Sequence, residues 1–243
     1  MRILALLTIF IALLFTPLSV QAEAVSFPSA DGLAITADLV NANTKTAIVL
    51  FHQAGSSRGE YQTIAPRLNK LGYTTLAIDQ RSGQRFGSVV NATARQAASL
   101  GKGQNFLDAR ADMEAAIAYA HRLPGIQKVI IWGSSYSSAL SLVIAGEKSA
   151  KVDGVLSFSP GEYLSPLSVK RAAKTIDVPT FISSARSEVA QWTEIAAAIP
   201  ATSKVTAFHP EGSGRHGSSA LIAQLSANAE EYWQAVELFL KEN

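Results

Sequence analysis

Short, nearly all-apolar runs of strand length alternate with longer amphipathic segments along most of this chain. That alternation restricts the fold more than any other feature. TAIVLF (Thr46–Phe51) and KVIIWG (Lys128–Gly133) are apolar at almost every position, the pattern of a strand covered on both faces. AITADLV (Ala34–Val40) alternates instead, like a half-exposed strand. YTTLAID (Tyr73–Asp79), VDGVLSFS (Val152–Ser159), VPTFISS (Val178–Ser184) and SKVTAFH (Ser203–His209) read as further strands. Helical spacing predicts helices in YQTIAPRLNKLG (Tyr61–Gly72), NFLDARADMEAAIAYAHRL (Asn105–Leu123), SALSLVIAGEK, the region of EIAAAI (Glu194–Ile199) and ALIAQLSANAEEYWQAVELFLKE (Ala220–Glu242). Strand and helix in turn build an α/β fold, a doubly wound, mostly parallel sheet with helices on both faces. With no repeat, linker or low-complexity tract, one domain over residues 23–243 is the simplest account. Gln80–Gln104 reads as a long polar connection with glycines at 83, 87, 101 and 103.

The first residues follow other rules. Arg2 precedes the apolar run Ile3–Phe15, and small residues close the segment at Val20-Gln21-Ala22. A basic start, a short apolar middle and a small-residue end are expected of a secretory signal peptide over residues 1–22. As a helix the run spans only about 20 Å, against a hydrocarbon core of about 30 Å. Cleavage after Ala22 is therefore expected, with no stable membrane insertion afterwards and a periplasmic or secreted destination if the source is bacterial. The chain has no cysteine, so disulfides and thiolate metal sites are excluded. A formal net charge of +2 gives no electrostatic case for nucleic acid. The expected partner is a small-molecule substrate.

One segment carries chemistry. In VIIWGSSYSSALSLVIAG (Val129–Gly146) five serines crowd between a buried strand and an apolar helix. Gly133, Ser135 and Ser137 form G-x-S-x-S. At a strand–turn–helix junction the central serine of such a motif stands exposed on a strained backbone. The next N–H, here that of Tyr136, and the helix N-terminus can stabilise an oxyanion. Ser135 is the one serine here with glycine two positions before it, which leaves Ser134, Ser137 and Ser138 as packing or capping hydroxyls.

With HQAGSSRGEY following the strand TAIVLF, and Asp79-Gln80-Arg81-Ser82-Gly83 following YTTLAID, the chain from Val25 to Glu242 resembles the α/β-hydrolase superfamily. It is most like the small dienelactone-hydrolase-like and serine-peptidase-like members. The resemblance implies a serine hydrolase, with carboxylic-ester hydrolysis the expected chemistry. His52-Gln53-Ala54 matches the family loop that supplies the second oxyanion N–H, from Gln53 or Ala54. Asp79, Arg81 and Gly83 match a D-x-R-x-G structural turn. Gln53 and Ser137 stand where the family usually has glycine.

A serine hydroxyl needs a base. His216, in the glycine-rich EGSGRHGSSAL, matches the family's histidine loop, and His209 is the runner-up; His52 and His121 are expected to be structural and surface residues. The acid should lie between serine and histidine in the chain. The family's usual aspartate position holds Ser187, followed by Glu188. Glu162, after the preceding strand, is the alternative acid. The segment from Ser159 to Val178 leaves room for one short helix and little lid. Arg81, Arg85, Arg186 and Arg215 adjoin these segments, where one can pair with a substrate carboxylate. Neither metal nor organic cofactor is required by this chemistry. The departures at Gln53, Ser137 and Ser187 keep a second reading open, a binding protein on the same fold with a degraded site.

Overall fold

The computed structural model describes residues 22–243; all but the last residue of the expected signal segment lies outside the described residues. Among the described residues, one sheet has the order β1-β2-β4-β3-β7-β8-β9-β10. Its strands are β1 (Glu23–Pro28), β2 (Ala34–Val40), β3 (Thr46–Phe51), β4 (Thr74–Ile78), β7 (Lys128–Ser134), β8 (Gly154–Phe158), β9 (Thr180–Ser183) and β10 (Val205–Ala207). The pairs β1–β2 and β2–β4 are antiparallel, and every other neighbouring pair is parallel. The sheet is therefore doubly wound and mostly parallel, as the alternation predicts.

The core follows from the strand pattern. In β3, Ala47, Val49 and Phe51 join one hydrophobic cluster while Ile48 and Leu50 join the other. The larger cluster is closed by α3 (Arg110–His121), α4 (Tyr136–Glu147) and α6 (Val189–Ala198), through residues such as Met113, Leu140 and Trp192. The smaller is closed by α1 (Ile64–Lys70) and α7 (Ala229–Glu242), through Leu68, Trp233 and Phe239. Strands apolar on both faces need both covers, because neither face can meet water without exposing a hydrophobic row.

Several local readings are corrected. The edge strand β1, with Phe27 its one buried side chain, carries too weak a pattern to be read in the sequence. Gln80–Gln104 is not a plain loop. It contains a two-stranded hairpin, β5 (Arg85–Phe86) with β6 (Val89–Val90), and α2 (Ala92–Ser99). Asn91 begins that helix by accepting the Ala94 N–H at 2.7 Å, a side-chain cap. The helix expected from Asn105 starts only at Arg110, since the Asp108 carboxylate accepts the Asn105 N–H at 2.8 Å and holds a turn. The last helical stretch splits into a 3-10 turn at Gly217–Leu221 and α7. Between Ser159 and Val178 there is one short helix, α5 (Val169–Ala173).

This topology decides where a site can form. From β3 the chain moves to β4 on one side, whereas β7 leads to β8, β9 and β10 on the other. Between β3 and β7 the winding reverses, and the loops leaving their carboxyl ends part to form a crevice. The segments beginning at His52 and at Ser135 leave the sheet there.

Candidate active site

Ser135 sits where β7 turns into α4, with φ 60° and ψ −124°. This is close to the mirror image of the polyproline region and is disfavoured for any residue with a Cβ. The surroundings impose it. The Ser135 N–H donates to the Phe158 carbonyl on β8 at 2.8 Å, and the Ser138 and Ala139 N–H groups donate back to the Ser135 carbonyl at 2.9 and 3.2 Å. From Val129 to Gly146 every residue except Ser135 is buried. At Gly133 a Cβ would lie 2.5 Å from Ser138 N and Cα and would overlap the Ser137 carbonyl, so strand and helix approach this closely only over glycine. Ser137 has its own use. Its hydroxyl lies 2.9 Å from the Phe51 carbonyl and 2.6 Å from that of His52, tying the turn to the end of β3.

Nδ1 of His216 donates to Oε1 of Glu188 at 2.7 Å. An ionised carboxylate only accepts, so Nδ1 carries a proton, and Nε2 has no hydrogen-bond partner among the described residues. The second oxygen of Glu188 accepts from the Ser159 hydroxyl at 2.7 Å, and that same hydroxyl accepts the Gly217 N–H at 2.8 Å. Ser159, itself at φ 57°, thus fixes the acid and the residue after the histidine together. The Glu188 hydrogen bond holds His216 above the ordinary imidazole range against the opposing effect of burial. Burial pushes Glu188 up, but the bonds from His216 and Ser159 outweigh it and leave it below the usual glutamate range. Ser187, in the family's aspartate position, is exposed; a 3-10 turn over Arg186–Glu188 brings the longer glutamate inward one residue later. Glu162 is elsewhere. Its oxygens accept the Val169 and Lys170 N–H groups, both at 2.8 Å, so it caps α5 rather than meeting an imidazole.

The loop after β3 separates the two oxyanion candidates. The Gln53 N–H is taken, donating to Oε2 of Glu60 at 2.9 Å. The Gln53 carbonyl accepts from Nδ1 of His52 at 2.7 Å and from the Ser56 N–H at 3.2 Å. In a trans peptide the following N–H points opposite to that carbonyl. The Ala54 N–H therefore faces away from His52, on the exposed side of the loop, and has no acceptor among the described residues. Likewise the Tyr136 N–H, first in α4, has no acceptor among the described residues.

The remaining histidines are accounted for. His52 is fully buried, and its Nε2 accepts the Gln80 N–H at 2.9 Å, so it is neutral; burial keeps its pKa low. His209 is exposed and stacks near Trp192, with ring centres 5.1 Å apart. His121 meets the Lys151 carbonyl at 2.8 Å, on the protein surface. Arg81 is not free for substrate, being held by Asp112 at 2.6 Å and Asp31 at 2.9 Å. The Arg186 side chain reaches back to the Pro210 carbonyl at 3.2 Å; Arg85 and Arg215 are exposed. Among the described residues no cluster of three or more His, Asp or Glu is placed to hold a metal ion. Two contributors escaped the sequence reading, Ser159 and Glu60. Their signals were slight: a serine just before Pro160, and a carboxylate between Gly59 and Tyr61.

Comparison with known proteins follows the same line. The profile of the family described as serine aminopeptidase, S33, matches residues 42–217. No curated protein sequence matches. An esterase from Pyrococcus furiosus superposes with a TM-score of 0.73 at 16% identity, over 92% of this chain and 93% of its own. A dienelactone hydrolase from Anabaena variabilis gives 0.64 at 20% identity, over 88% and 97%. Est1E from Butyrivibrio proteoclasticus, also solved with ferulic acid bound, gives 0.64 at 13% identity, over 91% and 98%. At these identities the likeness to solved structures is one of fold. The family profile, which spans well over half the chain, carries membership, and the chain belongs to the serine aminopeptidase S33 family of α/β-hydrolases.

Proposed function

We propose that this protein is an exported serine hydrolase that cleaves a small carboxylic ester, or a related lactone, thioester or amide, through Ser135, His216 and Glu188. The observation that carries this reading is the oriented imidazole. Glu188 holds His216 Nδ1 at 2.7 Å, while Ser135 alone breaks the surface of the buried elbow. Ser135 Oγ attacks the carbonyl carbon as its proton passes to His216 Nε2. The developing oxyanion takes the Ala54 and Tyr136 N–H groups. His216 then gives its proton to the leaving group, and water repeats the cycle on the acyl-enzyme. The short Ser159–Val178 connection, with one five-residue helix, supports an open site and a small substrate. The esterase and dienelactone hydrolase among the similar structures support an ester over an amide. The basic start and apolar run of the first residues support export.

A fluorophosphonate probe with mass-spectrometric mapping tests the assignment. An adduct on Ser135, lost in Ser135→Ala and in His216→Ala, is expected. A folded protein that takes no adduct overturns the proposal in favour of a ligand-binding role. Nitrophenyl esters set against aminoacyl nitroanilides then separate ester from amide hydrolysis, and N-terminal sequencing of the exported form tests cleavage after Ala22.

A further inference from the structure

One buried acid has no part in the scheme above. Glu60 is completely buried, in the 3-10 turn Arg58–Tyr61 that follows the oxyanion loop, and makes no ion pair among the described residues. Oε2 accepts the Gln53 N–H at 2.9 Å, and Oε1 meets the Ser134 hydroxyl at 2.7 Å. The Ser134 oxygen in turn accepts the Ser218 N–H at 2.9 Å, so its single proton is left for Glu60. Both oxygens of Glu60 thus act as acceptors, which is the network of an ionised carboxylate.

The three segments joined in this way are those the reaction uses. Gln53 precedes Ala54, Ser134 precedes Ser135, and Ser218 lies two residues beyond His216. We propose that Glu60 is a positioning residue of this site, clamping the oxyanion loop, the serine turn and the histidine loop into one geometry. This inference rests on the serine-hydrolase reading above.

The charges involved are few. The carboxyl groups whose charge bears on His216 are Glu188, from the turn after β9, and Glu60, from the turn after β3. The titratable groups facing Glu60 are His216, Tyr61 and Tyr136. Burial holds both tyrosines far above the ordinary phenol range, so they stay neutral. Burial holds Glu60 above the usual glutamate range, and the bonds from Ser134 and Gln53 oppose that rise. During acylation the proton leaving Ser135 Oγ makes His216 cationic. A charge on Glu60 adds to that of Glu188 in favouring that cation.

Two variants test the clamp. Glu60→Gln keeps the shape and can still accept the Gln53 N–H, but loses the charge. Ser134→Ala keeps the carboxyl group and cuts the tie to Ser218. With nitrophenyl acetate, Glu60→Gln is expected to lower kcat at least about tenfold with little change in KM. It should also move the acid limb of the kcat/KM profile down by about half a pH unit or more. Ser134→Ala is expected to lower kcat and to move that limb less than Glu60→Gln does. Fluorophosphonate labelling rates should fall in both, with far-UV circular dichroism confirming the fold. A folded Glu60→Gln with wild-type kcat and an unmoved limb overturns the inference. If that variant does not fold, Ser134→Ala decides alone, and wild-type turnover in it overturns the clamp. Failure of the wild-type protein to label at Ser135 is a separate outcome; it removes the serine-hydrolase reading and this inference with it.

Discussion

Replacing Ser135 by glycine should make the protein more stable while abolishing its activity. At φ 60° and ψ −124° a residue with a Cβ carries strain of about 1–3 kcal/mol. Glycine adopts the same angles freely but adds unfolded-state entropy of about 0.5–1 kcal/mol. The Ser135 side chain caps nothing in the helix it precedes, so losing the hydroxyl costs little. The net gain is about 1 kcal/mol, or roughly 2–4 °C in Tm for a domain of this size. Ser135→Ala is the matched control, since it also loses the hydroxyl but keeps the Cβ and the strain. Gln96→Gly, exposed within the regular helix α2, should lose about 1 kcal/mol. Thermal and urea unfolding of the three variants beside the wild type measure the differences. If Ser135→Gly is no more stable than Ser135→Ala, the elbow stores no strain and the reasoning fails.

Other consequences follow from the same geometry. Because Glu188 raises the His216 pKa, the acid limb of kcat/KM should have its midpoint above the ordinary imidazole value of 6.5; Glu188→Gln should move it down and cut kcat by several orders of magnitude. The stability supplied by the raised His216 is full below its unfolded pKa and fades as pH rises through the folded one. That supplied by the lowered Glu188 is full above its unfolded pKa and fades as pH falls through the folded one, so urea midpoints should decline on both sides of a weakly acidic optimum. Gly133→Val should destabilise by about 1–3 kcal/mol and stop fluorophosphonate labelling, since its side chain meets the Ser138 backbone; retained labelling would show that the strand and helix can part. Asp112→Ala should cost about 3–5 kcal/mol by leaving buried Arg81 underpaired. Asp31→Ala should cost far less, because Asp31 is 38% exposed where Asp112 is 0%; equal losses in urea unfolding would refute the ranking.

What the sequence determined by itself is the part that depends on neighbours along the chain. Apolar runs such as TAIVLF and KVIIWG need cover on both faces wherever they lie, so the parallel sheet and its helices were legible. A serine between a buried strand and a helix, with Gly133 two places before it, marks a tight turn for purely local steric reasons. The tertiary structure decided what depends on partners distant in sequence. On paper Glu188 is the preferred acid and Glu162 the alternative, with nothing local to decide between them; the fold puts the first 2.7 Å from His216 and sets the carboxylate of the second against the first turn of α5. Gln53 and Ala54 are adjacent, yet only the Ala54 N–H remains open, because a carboxylate seven residues on takes the other. That carboxylate then reaches Ser134, 74 residues away, and Ser159 reaches Gly217 across 58. An isolated Glu or Ser carries no period and no spacing rule. Its meaning is set by the atoms that close around it, and the sheet order that brings β3, β7 and the histidine loop to one crevice selects those atoms.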